Sequence, residues 1–292
     1  MDITLRWFGK KHDSVKLEHI RQIPGVTGVV SSLHDVPAGE AWKLEDILAL
    51  KNEVEAAGLK LVGIESVNIH EDIKIGLPSR EKYIENYKIS LENLGKADIH
   101  LVCYNFMPIF DWTRTDLAKR LEDGSYVLAY DENIIKDIKP ENMFERVEKE
   151  SGGFVLPGWE PNRRDEIMDL FEKYKGVTAE KLMENLKYFL DAIMPVCEKY
   201  RIKMAIHPDD PAWSVFGLPR IVTDEKSLEK IASLNDSIYN GFTLCTGSLG
   251  SNLKNNLPDI IRNPRISKRI HFVHFRNIKY EAERVFQENS KL

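Results

Sequence analysis

A chain of 292 residues, 42% hydrophobic and 30% charged, can fill a substantial core and is long enough for one large domain or two small ones. Its net charge of −5, with both signs mixed, offers no basic patch for nucleic acid and no acidic tail of the disordered kind. The opening MDITLRWFGKKHDS lacks a signal peptide's apolar centre, and no apolar run nears the roughly 20 residues of a membrane helix. No membrane partner is expected, and the compartment expected is the cytoplasm. The three cysteines, Cys103, Cys197 and Cys245, are odd in number and far apart, which fits reduced thiols rather than a disulfide framework.

Strand and helix patterns alternate through most of the chain. Ile3–Phe8 reads as a first strand and Val15–Ile23 as a short helix. Val26–Leu33 is a second strand, and Leu44–Ala57 has helical spacing that stops at Gly58, a suitable C-terminal cap. Leu59–Val67 is a third strand. Ser79–Ala97 is a helix that Ser79 can cap, with apolar positions at Tyr83, Ile84, Tyr87, Leu91 and Leu94. Ile99–Phe106 is a fourth strand. Short apolar runs rich in β-branched and aromatic residues are what parallel strands covered on both faces require.

The rhythm breaks between Met107 and Gly176. That stretch carries DWTRT, a hairpin signal at Asp123 and Gly124, and charged helical patterns at Pro140–Lys149 and Arg163–Lys175. A long insertion after a barrel strand's C-terminal end is often an active-site lid. The alternation resumes with a helix from Thr178 to about Tyr200, a strand at Ile202–His207, a loop at Pro211–Thr223 and a helix at Glu225–Leu234. A strand at Gly241–Cys245, a helix at Asn252–Ile261 and a strand at Arg269–Ile278 follow. The tail Lys279–Leu292 starts no new unit. Seven strands are counted where a closed (β/α)8 TIM barrel has eight. The expected fold is therefore a single α/β barrel domain, residues 1–292, with an insertion at about 107–176 and its eighth βα unit missing. Its two open edges favour association, so a homo-oligomer is among the expected states.

Three apolar runs end at a metal-ligand type: His207, Cys245 and His274, on consecutive strands. Neighbouring barrel strands bring their ends together, so these three can converge on one ion. Period-2 alternation puts His271 and His274 on opposite faces, and the strand-end position favours His274 as the inward one, with His271 toward the helices. Cys103 and Cys197 fit buried packing residues. Imidazole with thiolate suits zinc, while an added carboxylate and water admit Mn or Fe.

The stretches LRWFG, QIPGVTGVVSSLHDVPAGEAW, ESVNIHEDIKIGLP, VCYNFMPIFDWTRTDL, AIHPDDPAWSVFGLPRI, LCTGSLG and RIHFVHFRNIK resemble the mannonate dehydratase family from Leu5 to Lys279. The resemblance implies a xylose isomerase-like barrel with Mn2+ or Fe2+ on Cys245, His207 and His274. It implies dehydration of D-mannonate to 2-keto-3-deoxy-D-gluconate in hexuronate catabolism. The family's fourth ligand, an Asp, and its catalytic His and Tyr are expected beyond residue 292. The chain is thus expected to be C-terminally truncated, with weak or no activity on its own. Alternatives are another metal-dependent sugar isomerase or epimerase, or a non-catalytic remnant.

Such a reaction removes the proton beside a carboxylate, so cations and hydrogen-bonding groups at strand ends are candidate substrate contacts. Arg276 shares a face with His274 and is the first choice; the other reading is an ion pair. Arg6 and Trp7 end the first strand, Trp7 alternatively packing the barrel. Asn105 ends the fourth strand and fits either a sugar hydroxyl or a turn amide. His70 follows the third strand and fits substrate contact, proton transfer or a solvated loop. Asp209 and Asp210 follow His207, where one of them orients the imidazole or bonds the turn. Glu65 lies at a buried strand end as a ligand or an ion-pair partner.

Overall fold

The structure, a computed structural model, describes residues 2–136 and 163–289. Strands β1 (Ile3–Arg6), β2 (Val26–Ser31), β3 (Lys60–Glu65) and β4 (Leu101–Tyr104) are followed by a hairpin of β5 (Asp116–Arg120) and β6 (Tyr126–Asp131). Then come β7 (Lys203–Ile206), β8 (Asn240–Cys245), β9 (Ile270–His274), β10 (Ile278–Ala282) and β11 (Val285–Glu288). Seven strands form one parallel sheet in the order β1-β2-β3-β4-β7-β8-β9. Their interior positions are apolar because both faces are covered: Val29, Val102, Met204, Ala205 and Ile206 are wholly buried. Sequential order with helical crossovers is the arrangement the alternating pattern demands. Among the described residues no eighth parallel strand joins this sheet.

The helices that cover the sheet are amphipathic. In α7 (Ala179–Tyr200), Leu182, Leu186, Phe189, Leu190 and Ile193 fall on one buried stripe, and the Thr178 hydroxyl accepts the Lys181 N–H to cap it. Helices α2 (Leu44–Ala56) and α4 (Arg80–Lys96) sit within a residue or two of their expected ranges, and Gly58 takes the positive φ of 76° that ends α2. Ser79 does not cap α4 with its side chain; its hydroxyl donates to Asp72 at 2.5 Å instead. The first helix, α1, shortens to Leu17–Arg21. A helix not anticipated, α3 (Glu71–Ile75), follows β3. Helix α5 (Glu132–Ile135) follows β6, and α6 (Arg164–Tyr174) and α8 (Glu225–Leu234) match their patterns. The helical stretch expected at Pro140–Lys149 lies outside the described residues.

The last part of the chain departs from expectation. The helix expected at Asn252–Ile261 is instead a short α9 (Thr246–Gly250) and a separate α10 (Leu257–Arg262). Asn256 caps α10, and a proline in its first turn, lacking an N–H, suits only a helix start. The seventh barrel strand ends at His274, and the tail is not featureless: β10 and β11 form a hairpin. Strand β11 pairs with β6, so the tail and the insertion build one four-stranded antiparallel sheet, β10-β11-β6-β5. The hairpin at Asp123 and Gly124 is borne out within it. Tyr130 and Phe286 stack across this sheet at 5.5 Å, with Trp213 packed edge-on.

Candidate metal centre

His207 directly follows β7, Cys245 ends β8 and His274 ends β9; Cys245 and His274 are register partners. One donor atom from each lies within 4.8 Å of the others. The two imidazoles face each other, His207 Nε2 at 3.0 Å from His274 Nδ1. Their outer nitrogens are engaged elsewhere: His207 Nδ1 donates to the Pro208 carbonyl at 2.7 Å, and His274 Nε2 to Glu65 Oε2 at 3.1 Å. The inner contact is that of a hydrogen bond with one proton between the two nitrogens, a place that a divalent ion held by both would take. Metal–imidazole bonds of about 2.1 Å comfortably span two nitrogens at this separation.

Cys245 also caps α9. Its sulfur accepts from the Ser248 N–H at 3.4 Å and the Ser248 hydroxyl at 3.1 Å. Burial favours the neutral thiol, but His207, His274 and Arg276 beside it outweigh burial and hold the thiol well below its usual range. His274 shows the reverse balance. Burial opposes its charge, yet Cys245 and Glu65 raise it to about 9. Glu65 is buried, which alone would raise its carboxyl; His274 and Arg6 bring it down to about 2. A thiolate with two inward imidazoles is a donor set that a divalent ion fits, and His207, Cys245 and His274 are the residues that would hold it.

A second group, Glu65, Cys103 and His274, is equally compact. Cys103 is held as a thiol by burial and by the charge of Glu65, and it accepts the Thr243 hydroxyl at 3.2 Å. Cys197 is fully buried in the core, as expected.

Each of the expected substrate contacts has partners within the protein. Trp7 is 2% exposed, packs in the core and donates its indole N–H to the Val15 carbonyl. Alternation explains this: Arg6 turns to the site and Trp7 to the helices. Arg6 is committed to Glu65, through Oε1 at 3.1 Å and the main-chain carbonyl at 3.2 Å. His70 caps α3 through Nδ1 and stacks on Tyr83 at 3.6 Å. Asn105 is a turn amide that accepts from Met107 N–H. Asp209 Oδ2 accepts the N–H groups of Ile221 and Val222, each at 2.7 Å, and its Oδ1 lies 3.7 Å from the Arg220 guanidinium. Arg276 realises its ion-pair reading, with Asp210 at 2.7 Å and Glu288 at 3.6 Å.

Three residues around the centre were missed. Arg114, fully buried, forms a two-pronged pair with Asp210 at 2.9 and 3.1 Å. Ser248 joins Asp210 to Cys245, and Glu288 brings β11 to Arg114. The spacing of Cys245 and Ser248, three apart at a strand-to-helix turn, was the one local signal available. Trp112, Tyr126, Phe275, Arg276 and Glu288 line a cleft of about 640 Å³ between the second sheet and the end of β9.

A parallel α/β barrel sheet of this order, its strand ends gathering two imidazoles and a thiol, has the xylose isomerase-like TIM-barrel fold. The xylose isomerase domain protein of Planctomyces limnophilus shares that fold, with a TM-score of 0.52 at 12% identity over 99% of this chain and 80% of its own. The chain belongs to the D-mannonate dehydratase (UxuA) family, whose profile matches residues 1–292. It is 61% identical over 292 residues to the mannonate dehydratase of Brachyspira hyodysenteriae, covering 100% of this chain and 82% of that protein. Identity to that of Thermotoga neapolitana is 57% over 290 residues, 99% of this chain and 81% of the relative. The crystal structure of mannonate dehydratase from Streptococcus suis serotype 2 superposes with a TM-score of 0.87 at 43% identity, over 99% of this chain and 76% of that one. The expected C-terminal truncation is not borne out by these matches.

Proposed function

We propose that this chain carries mannonate dehydratase chemistry, the loss of water from D-mannonate to give 2-keto-3-deoxy-D-gluconate, with His207, Cys245 and His274 as its metal ligands. The family is one of metal-dependent dehydratases. Mn2+ or Fe2+ is the ion we assign, since water and substrate oxygens would complete the set. The observation that carries the reading is the convergence of the three donor atoms within 4.8 Å at adjacent strand ends.

A proton beside a carboxylate is weakly acidic, because its removal piles charge on the carboxylate oxygens. A divalent ion held there supplies charge stabilisation for that enediolate. The chain's own residues prepare the place. Pro208 and Glu65 take the outer imidazole protons, so both inner nitrogens present lone pairs. Ser248 holds the sulfur. Arg6 and Arg276, each paired to a carboxylate beside the centre, reduce the local negative charge that a sugar acid would meet. We read the insertion and tail sheet as the wall or lid of the substrate cleft, and the chain as one domain. No helix among the described residues is long and apolar enough to cross a membrane, and a cytoplasmic enzyme able to self-associate is the reading we adopt.

The test is a product assay on the metal-loaded protein with D-mannonate. A 2-keto-3-deoxy acid is expected. An epimer or isomer of the substrate in its place would assign a different sugar reaction to the same centre.

A further inference from the structure

We infer that Glu65 is a positioning residue for the metal centre, fixing His274 in the tautomer that turns its Nδ1 lone pair toward His207 and Cys245. The inference rests on the metal-site reading above. Glu65 ends β3 and His274 ends β9, with β4, β7 and β8 between them in the sheet. Their contact therefore crosses the barrel mouth rather than linking adjacent strands. Glu65 Oε2 lies 3.1 Å from His274 Nε2, while Oε1 takes the Arg6 guanidinium at 3.1 Å. Arg6 also donates to the Glu65 main-chain carbonyl at 3.2 Å. The carboxylate is thus held at two points, with one oxygen left for the imidazole. It is only 8% exposed, which limits competition from water for that oxygen.

A carboxylate accepting from a ligand imidazole fixes ring rotation, places the proton on the outer nitrogen and strengthens the inner one as a donor. The compact Glu65, Cys103 and His274 group could instead be a second ion site. Two contacts argue against that: Arg6 occupies one Glu65 oxygen, and the Cys103 sulfur accepts the Thr243 hydroxyl within a buried, protonated thiol. Glu65 then acts through His274 and not on an ion of its own.

The test uses the full chain with Zn2+ as a diamagnetic probe. Nitrogen-15 spectra of the unaltered, zinc-loaded protein are expected to place the His274 proton on Nε2 and the metal on Nδ1. The opposite tautomer would overturn the inference without any variant. Glu65→Gln keeps the shape but removes the charge, and a roughly 10–100-fold weaker zinc affinity by competition titration is expected, with Glu65→Asp recovering part of it. A folded Glu65→Gln protein that binds zinc within twofold of the parent would overturn this inference alone. An unaltered chain that binds no metal would bring down the metal-centre reading, and this inference with it.

Discussion

Arg114 lays its guanidinium along both carboxylate oxygens of Asp210, and neither side chain reaches solvent. The pair joins the insertion to the loop that follows His207. Burial would raise the Asp210 carboxyl, but Arg114 and Arg276 drive it far below the usual carboxylate range. Removing one partner of such a pair leaves buried charge uncompensated, at a cost of about 3–5 kcal/mol. Asp210→Ala is therefore expected to lower unfolding free energy by that amount in urea titrations. A loss below about 1 kcal/mol would mean that the pair is not buried in solution.

His207→Ala, Cys245→Ala and His274→Ala each remove a donor atom. Every one should weaken Mn2+, Fe2+ or Zn2+ binding by more than the roughly 10–100-fold typical of a supporting residue. Equilibrium dialysis with elemental analysis reads this directly. Undiminished metal content in any one variant would exclude that residue as a ligand.

Trp7 offers a contrast between packing and substrate contact. Trp7→Ala should cost about 3–5 kcal/mol of stability, as truncation of a buried aromatic does. Trp7→Phe should fold and leave KM for D-mannonate within about twofold. A large rise in KM with unchanged stability would return Trp7 to the substrate site.

The His271 ring is largely buried, and desolvation with nearby Lys203 lowers its pKa from 6.5 to about 4. The unfolded chain therefore binds more protons than the folded one between those values, and stability falls as pH drops from 6.5 toward 4. The loss from this residue approaches ~3 kcal/mol at the acid end. His34, also lowered to about 4, acts in the same direction. Melting curves at pH 7, 6 and 5 should show the decline, and His271→Gln should flatten it in part. A His271→Gln protein with an unchanged pH slope would refute the assignment.

Gly28 of β2 is the register partner of Lys60 in β3. A Cβ there would stand 2.4 Å from the Lys60 carbonyl oxygen, which is main chain and cannot swing away. Gly28→Ala should cost more than 2 kcal/mol, beyond ordinary overpacking of a side chain. Denaturant unfolding of the variant measures it, and a neutral result would show that the strands separate easily.

The order of the parallel strands, the helices between them and the three ligands at their ends were legible from local pattern. Apolar periodicity is imposed by burial over a few residues, and an abrupt end at His207, Cys245 or His274 marks a strand reaching the surface. Whether a polar side chain is a contact, a clamp or a cap depends on its partner, and the partners are distant in sequence. Glu65 and His274 are 209 positions apart, and Arg114 and Asp210 are 96. The tail at Ile278–Glu288 carries no strong strand pattern by itself, and its second strand, β11, pairs with β6, over a hundred residues earlier. Sequence alone determined the staves and the His207, Cys245 and His274 side chains at their tips. The tertiary structure decided which charges face each other, since only packing brings those side chains within reach and removes the water between them.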